Sequence, residues 1–149
     1  MHKLHGVMYA YASTENGYDP YQKCEEHHTF LPVDGVAEML SLRISKKTGN
    51  HLKILSEIFE NHENSAIYVS SHIPLIGEKN SRYWDVERTP DYGVTWSCEN
   101  QGNNHAKTVN IYTRKRNPSI DLMNKVQDVY TRIGIQNCYF KRIDQTNCY

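Results

Sequence analysis

The most regular hydrophobic pattern along the chain lies between Thr108 and Arg142. Val109 and Ile111 alternate with Asn110 and Tyr112, the two-residue period of a strand with one buried face. Leu122, Met123, Val126, Val129, Tyr130 and Ile133 then recur at spacings of three and four, which predicts a helix with one apolar face. Asn117 suits the N-cap, Pro118 fits the first helical position, and Asp121 and Arg132 complement the helix dipole at opposite ends. Gly134 is a stop signal, and Ile135, Cys138 and Phe140 open another strand. The unit reads strand, basic loop, helix, strand. If its two strands run parallel in one sheet, the crossover should be right-handed.

Earlier in the chain, Leu4 to Ala12 predicts a first strand with Val7, Tyr9 and Tyr11 on one side. Thr14 to Glu26 reads as a polar loop punctuated by Asn16-Gly17 and Asp19-Pro20. His27 to Phe30 suggests a short strand before Pro32. From Asp34 to Lys46, Val36, Met39, Leu40 and Ile44 fall on one side of a helix that Gly49 breaks. Asn50 can cap a second helix through Asn61, with Leu52, Leu55, Ile58 and Phe59 as its stripe. The two form a helical hairpin packed on a sheet. Ser65 to Ser71 is a strand by composition, ended or bent at Pro74. Gly77 to Gly93 reads as a long irregular connection, Val94 to Cys98 as a strand and Asn100 to Asn104 as a turn. The tail from Ile143 to Tyr149 adds a short edge or frays. Together these predict one α+β domain over residues 1–149. Its mostly antiparallel curved sheet would carry about three helices on one face.

Composition narrows the function classes. The chain's 149 residues can bury a real core, and 17 basic residues balance 17 acidic ones. Zero net charge argues against a general nucleic-acid binder, which normally carries a basic excess. Tyrosine (11) and histidine (8) far outnumber phenylalanine (3), a mixture of stacking faces and polar ends useful around nucleotides. Cys24, Cys98, Cys138 and Cys148 show no CxxC spacing, which is weak for zinc and outlines no disulfide framework. No apolar run resembles a signal peptide or a membrane span. The expectation is a cytoplasmic protein with reduced thiols, no metal and no cofactor.

Three constellations could carry chemistry. Arg114, Lys115 and Arg116 precede a helix N-terminus, where free N–H groups favour an anion; the alternative is a solvated basic turn. His27, His28, Thr29 and Phe30 contain a His-x-Thr string that resembles half of the two-histidine phosphoesterase motif. Its second copy is missing, since His72 is followed by Ile-Pro and His105 by Ala-Lys. Cleavage, if it occurs, would be metal-independent, with histidine moving protons and Arg or Lys offsetting phosphorus oxygens. Finally, Tyr83, Trp84 and Trp96, with Arg82 and Arg88 nearby, could stack on a base and meet phosphates.

The run VNIYTRKRNPSIDLMNKVQDVYTRIGIQNCYFKRIDQTN resembles the end of the family typified by basophilic leukemia-expressed protein. The shared features here are Tyr112, Thr113, Val126, Val129, Gly134, Ile135, Lys141, Asp144 and Thr146. The resemblance implies a fold similar to the cap-binding initiation factors, with a curved antiparallel sheet backed by three helices. That family's tryptophan richness is not matched here, and the resemblance supplies no catalytic residue. The functional expectation is binding of a nucleotide, a cyclic nucleotide or a small phosphorylated ligand, as a viral or mobile-element accessory protein would do. Arg82, Tyr83, Trp84, Arg88, Trp96, Arg114, Lys115 and Arg116 would hold that ligand. The alternatives are a metal-independent phosphodiesterase using His27, His28 and His72, and a module that inhibits a host protein.

Overall fold

Eight antiparallel strands run up and down in chain order and close on themselves. They are β1 (Gly6–Thr14), β2 (Gln22–Thr29), β3 (Val36–Ser45), β4 (His51–Glu60), β5 (Ile67–Ile73), β6 (Gly77–Arg88), β7 (Tyr92–Gln101) and β8 (Asn104–Thr113). Each pairs with the next, and β8 pairs back onto β1, so the sheet is a barrel. Closure leaves the eight strands with no free edge to manage. Among the described residues one helix, α1 (Ile120–Arg132), lies outside, and a short β9 (Phe140–Arg142) pairs with the second half of β1. This computed structural model describes residues 5–14, 18–61, 63, 65–101, 104–132 and 140–148.

The α+β expectation is therefore overturned, and the helical hairpin is where it failed. Residues 34–46 and 50–61 form the β3–β4 hairpin, paired from Val36↔Phe59 to Ile44↔His51. On β4 the inward residues are Ile54, Ser56 and Ile58, a strand period disguised by a serine. The supposed helical stripe is split: Leu55 and Phe59 are 47% and 43% exposed on the outer face. Gly49 does break the pattern, at φ 73° in the turn between the strands. Residues 77–93 are mostly β6, whose exposed Glu78, Asn80 and Arg82 hid its strand character.

The C-terminal unit is present as strand, helix and strand. Both β8 and β9 lie antiparallel to β1 and hence parallel to each other. Ser119, not Asn117, caps α1: its Oγ accepts the Leu122 N–H at 3.2 Å. Replacing Ser119 by alanine should cost about 1 kcal/mol of stability, measurable by urea denaturation. Ile133, Gly134, Ile135 and Cys138 lie outside the described residues.

Val126 and Val129 of α1 bury themselves against Tyr11, Tyr92, Val94, Val109 and Ile111 on the outer barrel face. The best-packed core of the molecule thus lies between helix and barrel wall. The barrel interior is left for something else.

The tail does not fray. Between the β1–β2 pairs, which end at Tyr9↔Glu26, and the β1–β9 pairs, residues 143–148 stitch the seam. Ile143 N–H donates to Tyr11 O at 2.9 Å and Cys24 N–H to Asp144 O at 2.8 Å. The Gln145 amide bridges Ala10 O and Glu25 O, both at 2.9 Å. Cys24 and Cys148 form a disulfide, so the expectation of reduced thiols without a framework fails. Among the described residues no helix is long and apolar enough to cross a membrane.

Candidate ligand-binding site

Because side chains alternate along each strand, every strand sends one set of residues into the barrel. There they surround a cavity of about 460 Å³. Met8, Ala10 and Ala12 come from β1, Glu25, His27 and Thr29 from β2, and Met39, Ser41 and Arg43 from β3. Ile54, Ser56 and Ile58 of β4 lie side by side with Ile67, Val69, Ser71 and Ile73 of the neighbouring β5 on one wall of the hollow. Residues on β6 to β8 complete it, among them Tyr83, Arg88, Thr95, Asn110 and Tyr112. Tyr18 and Asp19 of the β1–β2 connection lie at the end where β5 turns into β6, which is the mouth. The floor is the other end, where β1 begins and β8 finishes.

The wall is chemically two-sided. Isoleucine and valine of β4 and β5 make an apolar side, interrupted by a Ser56–Ser71 hydroxyl pair at 2.8 Å. On the adjoining strands β2 and β3, Glu25 accepts from His27 Nε2 at 3.0 Å and from Arg43 Nη2 at 3.1 Å. On its other side, His27 Nδ1 shares a hydrogen bond with the Ser41 hydroxyl at 2.7 Å. Burial alone would raise the Glu25 carboxyl, but the His27 hydrogen bond and the Arg43 charge hold it at about 2. Tyr112 packs edge-on against His27, with ring centroids 5.3 Å apart. Burial first, then Glu25 and Tyr83, push its phenol well above the usual value, so it stays neutral.

The predicted site residues do not gather into one place. His27, Tyr83 and Arg88 line the cavity. His28 faces outward beside Glu26 at 3.5 Å, and exposed His72 sits by Glu78 at 3.4 Å on the outer wall. Trp84 and Trp96 form a cross-strand pair outside the barrel, 5.0 Å between centroids, with Arg82 at 5.7 Å from the Trp84 ring. Trp96 packs on the core beneath α1.

Two of the three cations of the basic turn, Arg114 and Arg116, hold the floor end together. Arg114 donates to His5 O and Val7 O. Arg116 stacks on Tyr9 at 4.4 Å, donates to Gln145 Oε1 at 2.6 Å and reaches Glu26 at 3.4 Å. Lys115 is exposed, its carbonyl accepting from Thr113 Oγ1. The side chain of His105 lies outside the described residues. Glu25, Arg43, Ser41, Thr95 and Tyr112 escaped sequence reasoning. The available signal was the i, i+2 recurrence in Glu25-His27-Thr29 and Met39-Ser41-Arg43. Among the described residues no group of three or more His, Cys, Asp or Glu could hold a metal ion.

An up-and-down barrel with a lined, open-ended interior is an architecture for enclosing one small ligand. The family model "Lipocalin / cytosolic fatty-acid binding protein family" matches residues 24–147, and the chain belongs to that family. Lobster apocrustacyanin A1 is 19% identical over 98% of this chain and 79% of its own, with a TM-score of 0.76. Insecticyanin from the tobacco hornworm Manduca sexta is 11% identical over 98% and 80%, with a TM-score of 0.83. The amine-binding protein of Rhodnius prolixus, solved as its tryptamine complex, is 12% identical over 91% and 76%, with a TM-score of 0.69. No curated protein sequence matches.

These findings overturn the resemblance to the basophilic leukemia-expressed family and its cap-binding-type fold. With it go the nucleotide-binding, phosphodiesterase and host-inhibitor readings, and the viral accessory role built on them. The YT, valine and GI features reflect a strand followed by an amphipathic helix, which both folds contain.

Proposed function

We propose that this chain binds one small, largely apolar molecule with a polar head inside its barrel. The observation that carries this reading is the cavity of about 460 Å³, apolar on the β4–β5 side and hydrogen-bonding on the other. Such a volume lies in the range of about 300–1,000 Å³ common for small-molecule sites. A few placed polar groups in an apolar wall fix orientation, while burial of the body supplies affinity. The tryptamine found in the Rhodnius relative is of this size class and supports the reading. The Cys24–Cys148 disulfide suits an oxidising compartment, so we place the protein outside the reducing cytosol.

Displacement of the neutral dye N-phenyl-1-naphthylamine tests the proposal. The wild-type chain should bind the dye saturably at one site. Val69→Trp, which projects an indole into the cavity from β5, should weaken binding by about tenfold or more, equivalent to ~1.4 kcal/mol. Dye binding that is unsaturable, or indifferent to Val69→Trp, would remove the barrel interior as the site.

A further inference from the structure

The hairpin that joins β5 to β6 at the mouth presents leucine where a turn ordinarily carries glycine. Ile76 N–H donates to Ile73 O at 3.2 Å, closing a four-residue turn with Pro74 and Leu75 at its centre. Leu75 has φ 69°, the left-handed value that the second central residue of a type II turn requires. Among the described residues the other non-glycine positions with positive φ are Cys24, Asp34, Ser65 and Asn147, none of them a large aliphatic. Packing does not compensate the leucine: its side chain is fully exposed, and the following Ile76 is 79% exposed. Neither lines the cavity. Backbone strain and two bare aliphatic side chains at one tip both disfavour the folded chain in water, and they point to a surface that covers them.

The charges around the tip identify that surface. The connections β1–β2, β3–β4 and β5–β6 follow one another around the mouth end of the barrel. Lys47, in the β3–β4 turn, is exposed and lies 4.2 Å over the ring of exposed Tyr21 in the β1–β2 connection. Exposed Lys53 of β4 is two residues nearer the mouth than Leu55, which pairs with His72, so Lys53 comes alongside Pro74. Exposed Lys79 stands at the rim, two residues after Gly77. Lys47, Lys53 and Lys79 form no ion pair among the described residues. The acids at this end are engaged: Asp19 accepts the Tyr21 N–H, Glu78 lies 3.4 Å from His72 and Asp144 3.6 Å from Lys46. The floor end also exposes Phe30, Leu31 and Val33, but beside the exposed carboxylates of Asp34, Glu38 and Glu57. Bare aliphatics meet unpaired cations at the mouth.

We propose that the mouth end of the barrel docks on an anionic lipid surface. Leu75 and Ile76 enter the boundary between headgroups and acyl chains, Tyr21 lies at headgroup level, and Lys47, Lys53 and Lys79 meet lipid phosphates. Two aliphatic side chains attach only weakly by themselves, and lysine attraction to anionic headgroups supplies the second contribution. The barrel then stands with its opening against the bilayer.

Flotation with vesicles of phosphatidylcholine, alone or mixed with phosphatidylglycerol, tests the proposal. The chain should partition onto the mixed vesicles about tenfold or more better than onto pure phosphatidylcholine, and less so as salt is raised. Leu75→Gly should cost about tenfold in partitioning while the urea midpoint does not fall, because glycine accepts the φ of this turn without strain. Ile76→Ser should act in the same direction and carries the test independently of the turn. Lys47→Gln and Lys53→Gln should each cost about fivefold on the mixed vesicles and little on pure phosphatidylcholine. Leu31→Ser, at the floor, should change partitioning by less than about twofold. Absence of any preference for the anionic vesicles overturns the proposal, as does binding that Leu75→Gly and Ile76→Ser leave intact or that Leu31→Ser weakens equally. Self-association in sedimentation velocity that the two tip variants abolish, with no vesicle binding, also overturns it and assigns the tip to a second copy of the chain.

Discussion

Replacing Glu25 by glutamine should remove roughly 3 kcal/mol of folding stability at pH 7, and the deficit should vanish in acid. The carboxyl titrates near 4.5 when unperturbed and at about 2 in the folded chain, held down by His27 and Arg43 against the opposing effect of burial. At about 1.36 kcal/mol per pH unit, that gap gives the roughly 3 kcal/mol stated. The sign follows from the depressed value. The stabilisation is complete above about 4.5 and is lost as pH falls through the folded value of about 2. Glutamine keeps the shape but leaves the Arg43 guanidinium facing a neutral amide in the barrel wall. Urea denaturation of both proteins at pH 7, 4.5 and 2.5 measures the difference directly. A gap that stays constant across that range would mean Glu25 acts through packing and not through charge.

Cys148→Ser should lower stability by about 2–4 kcal/mol, because the disulfide to Cys24 restricts the unfolded chain over a long loop. The two cysteines are 124 residues apart in sequence, which places the loop-closure contribution at the upper end of the usual range. In calorimetry this corresponds to a fall in Tm of roughly 5–15 °C for a domain of this size. The effect has a local reading as well. The bridge ties residues 143–148 over the gap where β1 leaves β2, and Gln145 there holds both strands and Arg116. Wild-type protein in reductant should melt with the variant. If the oxidised and reduced proteins melt together, the tail is held by its hydrogen bonds and burial alone.

Legibility along the chain tracked how far each pattern was local. The helix over Ile120–Arg132 was readable because Val126 and Val129, with Leu122 and Met123 beside them, face one neighbour while Asn124, Lys125, Gln127 and Asp128 meet water. β7 and β8 were readable for a similar reason, since Val94, Val109 and Ile111 lie under that helix. β3 and β4 were not. Their outer face keeps Leu40, Leu55 and Phe59, while their inner face carries Ser41, Arg43 and Ser56 into a cavity. A barrel that encloses a polar-edged hollow blurs the inside-outside contrast on which the strand period depends, and a false helical stripe emerges. β6 failed in the opposite way, being polar on its outward face and only sparsely apolar within.

The site followed the same division. His27, Tyr83 and Arg88 stood out by residue type, and all three do line the cavity, yet the pattern places His27 on a short strand before Pro32 and the other two in a long irregular connection. Nothing near position 25 announces that its carboxylate will meet Arg43, and nothing near position 88 announces Gly93 as its seat.

Residue order alone settled that one helix and several strands form, though not the residues at which they begin, because their existence depends on side chains a few positions apart. Closure of the sheet, the direction each strand faces and the union of Cys24 with Cys148 were decided only in three dimensions. Register between distant strands selects which side chains share the interior, and a shift of one residue would exchange the cavity lining for the outer wall.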